Sequence, residues 1–214
     1  MKNKTATELL YEQIRQQILD KKLFPGSHIV EDNIAREAGI SRAAVRGVMS
    51  RLQSDGYVKI IPNKGSFVIS PTVEEIKMLY NTRLYLELGA ASLAAKNVTP
   101  DIIERMEANY EAQKQLKSHF NIGEYAVLNR DFHWAIAEAS HNEYYKKYLS
   151  EIYNIGHIYI VFYDDSIDNS RSLYTHGQML QALHHRDEQE LMAAIRLDNA
   201  NAFEDLNAEN GCGV

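Results

Sequence analysis

Residues Ile29–Met49, IVEDNIAREAGISRAAVRGVM, decide how the rest of the chain is read. Two short amphipathic helices meet at Gly39, a residue free to take the left-handed backbone that a tight interhelical turn demands. Ser41 is a natural N-cap for the second helix. Val45, Val48, Met49 and Leu52 recur on that helix at core-facing spacing, while Arg42, Ala43, Arg46 and Ser50 fall on the opposite side. This is the pattern of a helix-turn-helix, whose second helix enters the DNA major groove with its N-terminal residues. An ordinary amphipathic surface helix with solvated arginines would share the pattern, so the segments that follow have to decide.

Ser54-Asp55-Gly56 closes the second helix. Tyr57–Ile61 and Ser66–Ile69 then read as two strands around the turn Pro62-Asn63-Lys64-Gly65, a hairpin placed as a wing. A helix expected over Thr7–Lys22 lines Leu10, Ile14 and Ile18 along one side, and His28–Val30 supplies a short third strand with His28 at its surface. The pattern L-x-P-G-x-x-I-x-E-x-x-I-A-x-x-x-G-I-S-R-x-x-V-R, followed by R-L-x-x-x-G-Y-V and N-x-G-S-F-V, resembles the winged helix of GntR-family transcriptional regulators over roughly residues 5–70. The resemblance implies double-stranded operator DNA as partner, with Ser41, Arg42, Ala43 and Arg46 on the reading helix and Lys64 and Gly65 in the wing. Ala43-Ala44 stand where the family usually has Thr-Pro, and Gly47 where it usually has Glu. A hydroxyl contact at position 43 is therefore absent, and the base sequence read is expected to be unusual.

Charge divides the 214 residues in the same place. Residues 1–70 carry 11 Lys and Arg against 7 Asp and Glu, a net of +4, and the remainder carries 12 against 22, a net of −10. A basic reading head on an acidic body fits nucleic-acid binding, which the overall −6 alone would discourage. The single cysteine, Cys212, excludes an internal disulfide and suits a reducing compartment. Without an 18-residue apolar run or a secretory-type start, no membrane partner is expected and a cytoplasmic location is.

The expected fold is mainly α: a winged helix-turn-helix over 1–70 and an all-helical body over 71–214. The connection at Ser70-Pro71 is very short, and Thr72-Val73-Glu74-Glu75 is a capping box that starts the next helix at once, which should couple the two domains tightly. Six body helices are expected near Thr72–Lys96, Pro100–Ser118, Ile122–Ser140, Glu143–Tyr163, Asp168–His185 and Glu188–Asn207. Asn121 with Glu124 and Asp187 with Glu190 read as further capping boxes, and Pro100 stands at a first helical position.

In the body, Arg83 shares a face with Ile76, Leu79, Tyr80, Leu86 and Ala90, so a charge points among apolar side chains and must find an anion. Glu87, one turn on, would serve; so would a ligand carboxylate held by two parallel hydrogen bonds. Asn129 and His133 are four apart on one helix face, with His176 and Asp198 on two later helices. His157 shares a face with Tyr153, Ile160 and Val161 and is a candidate pocket residue, whereas Asp131 faces away and His119, His141, His184 and His185 sit at helix ends.

The segments beginning at Arg83, Phe132 and His176 resemble the FCD ligand-binding domain that accompanies this winged helix in one GntR subfamily. That resemblance implies a divalent metal held by an Asp, a His four residues later, and two further His. Carried over by position, the set here is Asn129, His133, His176 and Asp198, a departure at both ends that still leaves two imidazoles and one carboxylate. Such a set suits Zn²⁺, Ni²⁺, Mn²⁺ or Fe²⁺. The resemblance also assigns Arg83 to a small carboxylic acid effector, and implies a homodimer on a two-fold operator. The rival class is an α-bundle metalloenzyme with a two-His, one-carboxylate site. Against it, a di-iron bundle needs paired Glu-x-x-His motifs and Glu138–His141 stands alone, so no enzymatic activity is expected.

Overall fold

The computed structural model describes residues 4–164 and 169–210, the last four of these for backbone only. Cys212 and the expected helix start at Asp168 lie outside the described residues. The fold is mainly helical with one small antiparallel sheet. It separates into two compact units, Met1–Pro71 and Thr72–Val214.

The first unit runs α1 (Ala6–Leu19), β1 (His28–Ile29), α2 (Glu31–Ala38), α3 (Arg42–Ser54), β2 (Val58–Ile61) and β3 (Gly65–Val68). Leu10, Ile14 and Ile18 of α1 are buried, as are Val45, Val48, Met49 and Leu52 of α3 and Tyr57 and Val68 of the wing. Gly39 ends α2 at φ 64°, and Ser41 caps α3 by accepting from the Ala44 N–H at 3.2 Å. The sheet order is β1-β3-β2, with His28 opposite Phe67 and Ile61 opposite Gly65. Gly65 has φ 100°, and a Cβ there would lie 2.7 Å from the His28 ring. His28 in turn stacks on Phe67 with centroids 4.8 Å apart.

Helix α1 is earlier and shorter than the expected Thr7–Lys22. A capping box between Thr5 and Glu8 sets its start, and the chain turns at Lys21, φ 58°, after the Asp20 cap. The strands likewise shift by a residue, because Tyr57 packs into the core ahead of β2 and Gly65 already pairs with Ile61.

The second unit contains α4 (Val73–Asn97), α5 (Pro100–Gln115), α6 (Ile122–Ala139), α7 (Glu143–Tyr163), α8 (Ser170–His185) and α9 (Glu188–Asn210). The last turn expected for α5 tightens into a 3-10 turn over Leu116–Ser118, and α9 runs past Asn207. Thr72 and Glu75 form the full reciprocal cap. Asn121 accepts from the Glu124 N–H, and Asp187 accepts from the Gln189 and Glu190 N–H groups. Helix α4 packs against α6, α7 and α9, and α8 lies against α5 and α9. The main core is built from Leu88, Ala91, Ala94, Phe132, Ile136, Met179, Leu183 and Ile195 among others. Among the described residues no helix is long and apolar enough to cross a membrane.

Candidate functional site

Two places carry the sequence-predicted residues. On the first unit, Ser41, Arg42, Ala43, Arg46, Gly47 and Ser50 form an exposed strip along α3, and Lys64 is exposed at the β2–β3 turn beside Gly65. The arginines lean on the acidic first turn of α2: Arg42 Nε is 2.9 Å from Asp32, and Arg46 Nε is 3.8 Å from Glu31. Glu31 is also held by the Ser66 hydroxyl at 2.8 Å. Exposed pairs of this kind are weak, so both arginines are available to a phosphate or a base edge at small cost. Gly47 has open space where a side chain would stand, which leaves the strip flat between Ala43 and Ser50.

In the second unit, the buried stripe of α4 runs Ile76, Tyr80, Arg83, Glu87, Ala90 and Ala94, with an opposite-charge pair inside an apolar register. Arg83 Nε donates to Glu87 Oε1 at 3.0 Å, and its Nη2 donates to Asp198 Oδ2 at 3.3 Å. Nη2 also lies 2.9 and 2.7 Å from Nδ1 and Nε2 of His133. Of the two anions considered for Arg83, Glu87 is present, and Asp198 joins it from a helix 115 positions on. Burial opposes the Arg83 charge, but the two carboxylates outweigh it and hold the guanidinium firmly protonated.

Around this pair, α6 contributes Asn129 and His133, α8 contributes Thr175 and His176, and α9 contributes Asp198, all buried. His133, His176 and Asp198 offer ligand atoms within 4.8 Å of one another. His133 Nε2 is 3.2 Å from His176 Nε2 and 3.4 Å from Asp198 Oδ2; His176 Nε2 is 3.9 Å from Asp198 Oδ1. Bonds of about 2.0–2.2 Å to one small cation place neighbouring donors about 3.0–3.5 Å apart, so the first two separations match and the third needs a small adjustment. The donor set therefore fits a divalent ion of the borderline kind.

Each donor is oriented from outside. His176 Nδ1 meets Gln113 Oε1 at 2.7 Å, and since Gln113 uses its amide nitrogen on Asn109, the imidazole is the donor and Nε2 keeps its lone pair toward the cluster. Burial, with the neighbouring His133 charge, holds His176 down to about 3, so this ring is neutral. Thr175 donates to Asp198 Oδ1 at 2.7 Å. Glu87 Oε1 lies 3.1 Å from His133 Nδ1 and accepts from the Tyr153 hydroxyl at 2.8 Å. Burial pushes Glu87 up, yet Arg83 and His133 prevail and bring it down to about 2. For His133, burial and Arg83 press the pKa down while Glu87 and Asp198 raise it, and the net direction is upward.

The centre opens on a cavity of about 240 Å³ lined by Tyr80, Arg83, Tyr125, Asn129, Arg171 and Asp198 among others. A narrower pocket shares Arg83 and Asn129 and adds His133 and His157. Five of the six predicted body residues border these two cavities, and His176 joins them from behind through His133 and Asp198. Sequence reasoning missed Gln113, Tyr153 and Thr175. Gln113 continues the Ile102–Met106 stripe of α5 with a polar side chain on a buried face, a signal that could have found it.

The chain matches the family described as bacterial regulatory proteins of the gntR family over residues 6–68, and the FCD domain over residues 78–198. This chain belongs to the GntR family of bacterial regulatory proteins, with an FCD domain as its second unit. A Bacillus subtilis helix-turn-helix transcriptional regulator, YdhC, is 27% identical over 148 residues, a match covering 69% of this chain and 66% of the relative. Among solved structures, Escherichia coli McbR/YncC superposes with a TM-score of 0.80 at 19% identity, covering 97% of this chain and all of that one. A GntR-type regulator structure from Rhodococcus sp. RHA1 gives 0.77 at 20% identity, covering 97% and 99%. Family and domain content make the chain a bacterial transcriptional regulator. In the one Glu-x-x-His motif, Glu138 pairs with Arg105 at 2.8 Å.

Proposed function

We propose that this regulator is a homodimer that binds a two-fold operator through α3 and the wing, and that releases or tightens on it when a small carboxylic acid enters the helical unit. The observation that supports this reading is a buried, outwardly braced cluster of His133, His176 and Asp198 whose Asp198 lines a 240 Å³ cavity that Arg83 also lines. On this reading Ser41, Arg42, Ala43 and Arg46 face the major groove, and Lys64 and Gly65 face backbone beside it. His133, His176 and Asp198, with the Asn129 carbonyl oxygen, would hold Zn²⁺, Ni²⁺ or Mn²⁺. When bound, the ion would supply fixed positive charge that attracts an effector oxygen.

The chain's own residues do the rest. Arg83 offers a planar fork to the effector carboxylate, and His157 borders the narrow end of the pocket. Tyr80 and Tyr125 wall the cavity. Coupling is by linkage: a ligand that prefers one arrangement of the helical unit shifts DNA affinity by the ratio of its affinities for the two.

The test is a thermal-shift screen of small mono- and dicarboxylic acids, with and without Zn²⁺, Ni²⁺ and Mn²⁺, on chelator-free untagged protein. Hits go into a gel-shift titration on operator DNA. The reading expects an acid whose stabilisation needs the ion and which changes operator affinity. No stabilisation by any acid under either condition defeats it.

A further inference from the structure

We propose that Arg83 is the resident cation of this centre, and that its guanidinium has to swing out before a divalent ion enters. Metal entry and the freeing of Arg83 for an effector carboxylate are then one event. The inference rests on the metal-dependent reading above and adds a gate to it.

Three observations carry it. First, Arg83 Nη2 stands 2.7 Å from His133 Nε2 and 3.3 Å from Asp198 Oδ2, against the two atoms that would have to face an ion together. A guanidinium and a dication cannot both stand against those atoms, because they would occupy the same space and repel at that range. Second, the side chain is hinged. Nε stays 3.0 Å from Glu87 Oε1, while Glu87 Oε2 is buried with no hydrogen-bond partner among the described residues. A buried carboxylate oxygen without a donor is costly. Rotation of the guanidinium away from His133 about this hinge would bring a second N–H onto that oxygen and make the pair bidentate. Third, Arg83 and Asp198 both line the 240 Å³ cavity, so a guanidinium turned toward Glu87 leaves the Asp198 side open to an entering ion.

The gate is particular to this chain's residues. Asp198 gives the guanidinium a carboxylate to hold at a position where an imidazole would give it none, and the Thr175 hydroxyl fixes that carboxylate in place at 2.7 Å. A cation that leaves Asp198 must be replaced by another, and the neighbouring imidazoles of His133 and His176 make a divalent metal the replacement the site suits.

The experiment is isothermal titration of ZnCl₂ into chelator-free full-length wild type and Arg83→Gln. With the competing charge removed, Arg83→Gln should bind Zn²⁺ at least about tenfold more tightly than wild type, while losing the response to any acid found in the screen. Because Arg83→Gln leaves two buried carboxylates short of a partner, Arg83→Gln/Glu87→Gln is titrated beside it, removing one charge of each sign. Circular dichroism checks that each is folded. Tighter Zn²⁺ binding by either folded variant supports the gate. Equal affinity in wild type and variants overturns the gate and leaves the metal site standing, as does weaker binding by the variants. Absence of Zn²⁺ binding from all three overturns the metal reading and the gate with it.

Discussion

Thr175→Val is the substitution that tests most directly how the centre is held. The hydroxyl is buried and donates to Asp198 Oδ1 at 2.7 Å, and the other oxygen of Asp198 has Arg83 at 3.3 Å. A hydrogen bond to a buried charged acceptor is worth about 1.5–3 kcal/mol net, and valine keeps the shape while removing the donor. Valine adds no hydrogen-bonding group of its own, and the next side-chain polar contact of Oδ1 among the described residues is His176 Nε2 at 3.9 Å. For a unit of this size the loss converts to a fall in Tm of roughly 3–10 °C. Thr175→Ser is the control, because it keeps the donor and forfeits one methyl, about 1 kcal/mol. The assay is urea or thermal unfolding followed by fluorescence. The chain's single tryptophan, Trp134, packs in the helical unit against the Ala90, Ala137, Leu149 and Tyr153 cluster, so its signal reports on that unit alone. Valine should cost clearly more than serine. Valine equal to or more stable than serine would refute the claim that this hydroxyl secures the carboxylate.

The reading face offers two further tests. Asp32→Asn removes the partner of Arg42 and should raise operator affinity about 2- to 5-fold at low salt, by gel shift, with the gain fading as salt rises. Lys64→Ala should weaken cognate and unrelated DNA alike and lower the slope of log affinity against log salt by about one; a loss confined to cognate DNA would make the wing a base reader. In the body, Arg186 donates to the Lys96 and Val98 carbonyls at 2.7 and 2.9 Å from a left-handed position, φ 55°. Arg186→Ala should cost about 1–2 kcal/mol, while Arg186→Gly recovers about 1 kcal/mol of backbone strain and should melt higher than the alanine variant. Asn129→Asp/Asp198→His should bind Zn²⁺ roughly tenfold more tightly than wild type in the same titration, since a third imidazole replaces the carboxylate that Arg83 holds.

The fold was legible wherever local chemistry closes an element. Helix α7 falls on Glu143–Tyr163 as expected, bounded by an asparagine cap whose side chain accepts from the Tyr144 and Tyr145 N–H groups. Helix α1 was misjudged at its end because the stop is a left-handed lysine, Lys21, and not a glycine, so nothing in the residue type announces it. The site shows the same division. Arg83 and Glu87 are one turn apart, and a charged pair on an apolar stripe is visible from spacing alone. Asp198 and His133 reach Arg83 only because α4 packs on both α9 and α6, contacts between positions 115 and 50 apart that no periodicity encodes. Thr175 was invisible for a different reason. A hydroxyl on a helix face reads the same whether it meets solvent, backbone or a buried ligand atom.

The departures at 129 and 198 act together once Arg83 is included. Against the pattern that the FCD resemblance implies, a carboxylate has moved from α6, one turn before His133, to α9. Formal charge is unchanged, but the carboxylate now stands where α4, α8 and α9 meet, held by Arg83 from the first and Thr175 from the second. A second tie joins the same helices, the Asn199 amide donating to the Tyr80 carbonyl at 3.0 Å. The Arg83–Asp198 pair therefore does more than satisfy two buried charges: it clasps α4 to α9 across a wall of the cavity. A buried ion pair that loses one partner leaves a strongly unfavourable charge behind, so a ligand that draws Arg83 away must itself supply compensation at Asp198. An acid alone brings the wrong sign for that. An acid together with a divalent ion brings both, the anion to Arg83 and the cation to Asp198, which is why the proposed effector response should require the two together. Helix α4 begins at Val73, two residues after the first unit ends at Pro71, so the helix whose clasp would be exchanged on this proposal is also the one covalently continuous with the winged helix-turn-helix.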